Sequence, residues 1–162
     1  MNSFSTISEL LEYHGIDPTK TGLARHPIRN PDVRYLYEHG FMDSSMSLQN
    51  ERKFDKYVYV LSFLGFPDET CLFLRGYIIT GFHRDSETFM INYPFPDHVR
   101  ENSVFYTLEP LVVLDAYQQK LLVNWGKGSR AWLQNGTTEK AIIECLDKPL
   151  DSQIFLDSVD TR

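Results

Sequence analysis

The chain has 162 residues, of which 42% are hydrophobic and 14% aromatic, so it can bury a core and is not generally disordered. Its net charge of −6 excludes the strongly basic surface on which nonspecific DNA binding depends. The opening MNSFSTISEL is not a signal peptide, and no stretch approaches the roughly 18 apolar residues of a membrane span, so we expect a cytoplasmic protein without membrane contact.

The first predicted element is a short helix near the start of the chain. Ser5 or Thr6 can cap its amino end. The helix would run to about Tyr13, with Gly15 in the left-handed position that follows many helices. It opens a helical part that we expect to cover about 5–54.

A loop and two further helices are predicted next. Residues 16–32 contain three prolines and therefore predict a proline-braced loop. A second helix is expected after Asn30, with Pro31 at its first position, where the missing N–H has no partner to lose. A third helical piece is predicted over about 43–54.

The pattern then changes to β-strands, over about 57–147. Residues 57–82 contain two runs that are β-branched, aromatic and apolar on both faces, with the turn GFPDET between them, and this predicts a β-hairpin. Four further short strands are expected at SVFYTL, LVVL, KLLVNW and KAIIECL. These elements predict an α+β domain whose N-terminal helices pack on a strongly bent mixed or antiparallel sheet or a small β-barrel.

Charge is distributed unevenly along what we expect to be a single domain over 1–162. Residues 139–162 hold six acids against three basic residues, and about 148–162 is expected to form an acidic tail. Residues 18–34 and 115–135, in contrast, are locally basic. These two basic segments are the natural places to look for a binding site.

The two tryptophans of the chain flank one basic, glycine-containing segment, WGKGSRAW at 125–132. Its glycines permit a tight turn, from which Lys127 and Arg130 can hold an anion. An aromatic ring beside an arginine can also stack a base. The structural alternative is that Trp125 and Trp132 are core residues on the two strands of a hairpin.

The second basic segment is LARHPIRNPD, residues 23–32. Arg25, His26 and Arg29 would lie in the predicted loop, and arginine is well suited to bidentate contacts with phosphate or with guanine. The structural alternative is that Arg25 and His26 tie the loop to the sheet through hydrogen bonds to backbone carbonyls.

Motifs for catalysis, metals and cofactors are missing from the sequence. No histidine has a metal-ligand spacing to another candidate ligand, and there is no C-x-x-C, G-x-S-x-G or Rossmann motif. Cys71 and Cys145 lie in separate apolar runs and are expected to be reduced, buried thiols. We therefore expect no metal, no cofactor and no enzyme activity. The alternative is an enzyme with a scattered site that includes His26, His83 and His98.

Several segments together resemble the N-terminal, non-catalytic region of bacterial GIY-YIG nuclease family proteins. The resemblance covers nearly the whole chain. In chain order it consists of GIDP (15–18), ARH (24–26), Gln49, YVLSFLGFPDETCLFLRGYIITG (59–81), KLLVNWGKGSRAWLQ (120–134), AIIECLDKP (141–149) and the linker-like IFLD (154–157). The family pattern W-G-x-G-T-R-x-W-x-Q maps onto Trp125, Gly126, Gly128, Ser129 in place of threonine, Arg130, Trp132 and Gln134.

The nuclease itself has no counterpart in this sequence. No GIY or YIG triplet occurs, and the chain stops at Arg162, where the nuclease domain would begin. The resemblance therefore implies a non-enzymatic DNA-recognition module of a restriction or phage-defence system, with a PUA-like or EVE-like barrel as an analogy for its fold. The expected nucleic-acid-binding residues are Arg25, His26, Arg29, Trp125, Lys127, Arg130, Trp132 and Gln134.

A protein-interaction or decoy module is the main alternative. The acidic tail and the charge of −6 favour a basic protein partner, such as a nuclease or another defence protein, over naked DNA.

Overall fold

One mixed sheet with helices against it forms the part of the chain that the computed structural model describes, namely residues 4–39, 48–49, 57–66, 70–83, 104–124, 132–133 and 142–150. The helices are α1 (Ile7–Tyr13) and α2 (Pro31–Glu38), with 3₁₀ segments at Pro18–Lys20 and Val112–Tyr117. The strands are β1 (Thr21–Pro27), β2 (Leu48–Gln49), β3 (Tyr59–Gly65), β4 (Thr70–His83), β5 (Val104–Pro110), β6 (Leu121–Asn124), β7 (Trp132–Leu133) and β8 (Ile143–Cys145).

The sheet is open rather than closed into a barrel. Its strand order is β2–β5–β4–β3–β1–β7, and β6 pairs with β4 and with β8. β1 and β3 are parallel, whereas the other described pairs are antiparallel. The predicted α+β class and the predicted hairpin of β3 and β4 are therefore confirmed, with a mixed sheet in place of the barrel alternative.

Both short helices begin at the caps that the sequence predicts. The Thr6 side chain accepts a hydrogen bond from the backbone N–H of Glu9, and Gly15 after the end of α1 has a φ of 73°. At the start of α2, the Asn30 side chain accepts from the N–H of Asp32, and Pro31 occupies the first turn.

The predicted loop over residues 16–32 is wrong in its central part, because Thr21–Pro27 forms β1 inside the sheet. Each residue of this strand has a partner in β3, from Thr21 opposite Tyr59 to Pro27 opposite Gly65. Six of its seven residues are buried, which is typical of a strand covered on both faces. The expected helical part of 5–54 therefore contains a strand of the sheet.

Two other predicted elements differ from the structure. LVVL, at residues 111–114, was expected as a strand, but Val112–Tyr117 is a 3₁₀ helix. The segment follows Leu111, whose N–H donates to Gly76 O. Within the segment, Leu114 is buried in the core. Of the predicted third helix over 43–54, only residues 48–49 are described, and they form β2.

Apolar side chains cover both faces of the sheet. On the first face, α1 and the Val112–Tyr117 segment pack over Leu23, Leu61 and Phe63. The second face carries two separate apolar clusters, one that includes Ala24 and Val60 and another that includes Ile28 and Leu64. α2 packs on the latter cluster through Val33.

Two points concern the expected cellular setting. Neither helix of the described segments has the length and apolar character needed to cross a bilayer. Cys71 and Cys145 are both free thiols, as the sequence predicts. The predicted burial is confirmed for Cys71, whereas Cys145 is only half-buried.

Candidate nucleic-acid interface

Strand β7 connects the two basic segments that the sequence analysis identifies. In its antiparallel pairing with β1, Trp132 lies opposite Ala24 and Leu133 lies opposite Leu23. Trp132, the first residue of β7, therefore pairs with the residue that precedes Arg25 in β1. Segments about a hundred positions apart in sequence become neighbours on the sheet.

We call residues 125–134 the tryptophan segment. The strand that precedes it, β6, lies in a different part of the sheet from β7. Asn124, the last residue of β6, lies opposite Thr70 of β4. In the strand order, β6 and β7 are separated by β4, β3 and β1, so these strands are not the two arms of a hairpin. The hairpin alternative is therefore wrong for β6 and β7, which lie on opposite sides of the β1–β3 pair. The residues of the predicted tight turn, 125–131, lie outside the described part of the chain.

Asn124 lies at the carboxyl end of the parallel pair, whereas Trp132 pairs with Ala24 in the middle of β1. β1 ends at Pro27 and β3 ends at Gly65, and the Ile28 N–H donates to Gly65 O at 2.9 Å. The Phe66 N–H donates to Thr70 O at 2.9 Å, which places the start of β4 at the same end of the sheet. We call Pro27–Asn30 with Gly65–Phe66 the carboxyl-end region. In open α/β sheets, ligands commonly bind beyond the carboxyl ends of the parallel strands.

Arg25 lies at this end of the sheet but is buried, with 9% of its surface exposed. Its Nη2 donates to Phe66 O at 3.3 Å, and its Nε has no hydrogen-bond partner. A Cβ atom on Gly65 would lie only 2.4 Å from that Nε, so the guanidinium packs directly over the glycine. The bond to Phe66 agrees with the structural alternative for Arg25, although it leaves the guanidinium only partly satisfied.

His26 points to the second face of the sheet, opposite to the face of Arg25. It is 9% exposed, and its Nε2 atom is buried without a partner. Burial lowers the pKa of His26 to about 4, so the ring is neutral at pH 7. A neutral, buried imidazole is not placed to contact a phosphate at the protein surface.

Ser62 is a third buried polar group that the sequence analysis did not identify. It is 1% exposed, its Oγ has no partner, and it lies opposite Ala24 in the β1–β3 pair. It therefore shares the second face with His26, between the two apolar clusters. Its position inside the apolar run of β3 gave no indication that it would be left unpaired.

Arg29 is the exposed basic residue of the first predicted segment. It lies in the turn that joins β1 to α2 and is open to solvent. On α2, Arg34 pairs with Glu38 at 3.0 Å, which neutralises that charge. Arg29 is therefore the cation of this segment best placed to meet a phosphate.

Helix α2 also carries an exposed aromatic pair. The rings of Tyr35 and His39 are stacked, with centroids 4.0 Å apart and planes 18° apart, and Tyr35 is 41% exposed. Such a pair follows Arg29 by only a few residues and offers an aromatic surface of the kind on which bases stack. Its spacing of four residues on a predicted helix is the feature from which it could have been identified.

The remaining predicted binding residues lie outside the described part of the chain. These are Trp125, Lys127, Arg130 and Gln134, and for Trp132 only the backbone is described. For the scattered-site alternative, the side chain of His83 and all of His98 also lie outside it. Within the described ranges, no three metal-ligating side chains converge.

Comparison with protein-family models, with curated proteins and with solved structures finds no match to this chain.

Proposed function

We propose that this protein is a non-enzymatic nucleic-acid recognition module that binds DNA through the carboxyl-end region and the tryptophan segment, residues 125–134. The single observation that carries the proposal is the pairing of β7 with β1, which brings Trp132 beside the Arg25–Arg29 segment. The pairing supports treating the two segments, chosen independently for their chemistry, as parts of one binding site.

The chemistry of this area supports a phosphate-bearing ligand. Arg29 is exposed, Arg25 is buried with an unpaired Nε, and the sequence of the tryptophan segment adds Lys127 and Arg130. Arginine donates to phosphate in a fixed fork, and aromatic rings such as Tyr35 stack bases. This local group of basic residues is compatible with a net charge of −6, because residues 139–162, with six acids against three basic residues, account for −3 of it.

The test is the binding of a fluorescently labelled DNA duplex at about 50 mM and about 200 mM salt, since phosphate contacts make the affinity fall steeply as salt rises. We expect Arg130→Ala to weaken binding by about 1–3 kcal/mol with little change in thermal stability. An Arg130→Ala protein that unfolds, or that retains full affinity, would contradict the proposed role of this residue.

The same titration distinguishes nucleic-acid recognition from the main alternative. A protein-interaction or decoy module would ignore the duplex at both salt concentrations. Such a result would overturn the nucleic-acid proposal and direct the search to a basic protein partner.

A further inference from the structure

We infer that the Arg25 guanidinium is an anion-binding group whose missing partner is a phosphate oxygen. The inference deepens the proposed function and rests on it for the source of the phosphate in a nucleic-acid backbone. The binding chemistry, however, is that of any phosphate, free or esterified, and it can be tested without nucleic acid.

The Arg25 guanidinium is a buried cation without an ion-pair partner among the described residues. Arg25 is 9% exposed, and no carboxylate of the described residues forms an ion pair with it. Among the described residues, the guanidinium donates to Phe66 O at 3.3 Å, a neutral acceptor at the long end of the range. Buried charges in proteins are paired or hold a ligand, because desolvation of an unpaired charge is expensive.

Gly65 gives the guanidinium its place. A Cβ at this position would lie 2.4 Å from Nε and 2.6 Å from Cζ of Arg25, distances that no side chain tolerates without moving the arginine. Glycine inside a strand commonly marks a close approach of another group. The strand thus accommodates a planar cation at the end of the β1–β3 pair.

The surroundings favour an oxyanion over a neutral ligand. Arg25 lies near the carboxyl end of β1, opposite Phe63 of the parallel strand β3. Its unpaired Nε and its Nη atoms donate and cannot accept. Phosphate supplies several acceptor oxygens and the negative charge that would pair with the guanidinium. Its oxygens match the fork of N–H groups that arginine presents.

Thermal unfolding of the whole chain tests the inference, with inorganic phosphate compared with chloride at constant ionic strength. For a site with a Kd of about 1 mM, about 20 mM phosphate should raise Tm by roughly 4–7 °C. Arg25→Met should abolish this rise, and Arg25→Lys should reduce it because it keeps the charge and loses the fork. The matched control Arg34→Gln, which removes a guanidinium already paired with Glu38, should retain the full rise.

Gly65→Ala provides a second variant that keeps the arginine and displaces it, so it should also lose the rise in Tm even if Arg25→Met fails to fold. Equal Tm values in phosphate and chloride for the wild type would overturn the inference. So would a phosphate effect that survives both Arg25→Lys and Gly65→Ala unchanged.

The outcomes also separate this inference from the proposed function. Duplex binding without any phosphate-dependent rise in Tm would refute the anion site and leave nucleic-acid recognition in place. A phosphate-dependent rise lost in the Arg25 variants, in a protein that binds no duplex, would support the anion site and refute nucleic-acid recognition.

Asp68 and Glu69 follow Phe66 in sequence. If Asp68→Asn or Glu69→Gln creates a phosphate effect that the wild type lacks, a carboxylate of the chain is the partner and the inference fails.

Discussion

The two halves of strand β1 are buried to a similar degree but differ in how their polar groups are satisfied. In the amino half, the Thr21 hydroxyl donates to Asp17 O at 2.9 Å, and Gly22 packs against the ring of Tyr57. In the carboxyl half, Arg25 Nε and His26 Nε2 have no partner, and neither does Ser62 Oγ on the neighbouring strand.

Burial alone therefore does not distinguish a structural segment from a candidate binding segment. Buried polar groups in proteins are nearly always hydrogen-bonded, so each exception requires an explanation. The three unpaired atoms of the described residues belong to a short stretch of the β1–β3 pair. In the amino half, the buried hydroxyl of Thr21 is hydrogen-bonded. In the carboxyl half, the buried nitrogen atoms Arg25 Nε and His26 Nε2 are not.

The largest expected effect is a loss of stability in acid. The pKa of His26 is lowered to about 4 by burial, and in the unfolded chain it returns to about 6.5. Between these values the unfolded chain binds the proton first, so the free energy of unfolding falls by up to about 1.4 kcal/mol per pH unit, roughly 3 kcal/mol in all. The contribution is fully present above pH 6.5 and is lost as the pH falls toward 4. Urea unfolding at a series of pH values measures it.

The control for the acid effect is His26→Gln, which removes the titrating ring from the same position. Its stability should change less between pH 7 and pH 4 than that of the wild type, by roughly the same 3 kcal/mol. Identical pH profiles for the two proteins would show that His26 is not the group responsible.

A smaller difference is expected between the two glycines of the parallel pair. A Cβ on Gly22 would lie 2.8 Å from the ring of Tyr57, which is buried and held in place, so Gly22→Ala should cost about 1–3 kcal/mol of unfolding free energy. Gly65→Ala meets the flexible side chain of Arg25, which can move, so its cost should be lower. Urea unfolding of both variants would contradict this comparison if Gly65→Ala were the more damaging.

The smallest stability effects should have opposite signs for Thr21 of β1 and Ser62 of β3. Thr21→Val removes a satisfied hydroxyl and should lower the free energy of unfolding by about 1 kcal/mol. Ser62→Ala removes a buried hydroxyl without a partner and should raise it by about 1 kcal/mol. Chemical denaturation of the two variants checks the signs, and a clear loss of stability in Ser62→Ala would mean that its hydroxyl is satisfied.

The elements that the sequence predicted correctly are those specified by local chemistry. The caps at Thr6 and Asn30, the left-handed Gly15 and the hairpin of β3 and β4 depend on residues close in sequence. β1 could not be predicted in this way, because TGLARHP contains residues with weak strand preference and owes its conformation to a parallel partner more than thirty residues away.

The candidate site was predictable only as separate pieces. Arg25, Arg29 and the tryptophan segment could be selected from their chemistry, but the β1–β7 pairing that joins them depends on the strand order of the whole sheet. Ser62 and Gly65 could not be selected at all. Their importance depends on a missing hydrogen-bond partner and on a close contact with Arg25, neither of which leaves a pattern in the sequence.

The most direct test of nucleic-acid recognition at the carboxyl-end region compares the two ends of β1 by duplex titration. Arg29 and Lys20 are both exposed cations, placed beyond the carboxyl and the amino end of the strand respectively. The account predicts that Arg29→Ala weakens duplex binding by about tenfold and lowers its salt dependence, whereas Lys20→Ala changes affinity by less than about twofold. Equal losses in the two variants, or a larger loss for Lys20→Ala, would contradict it.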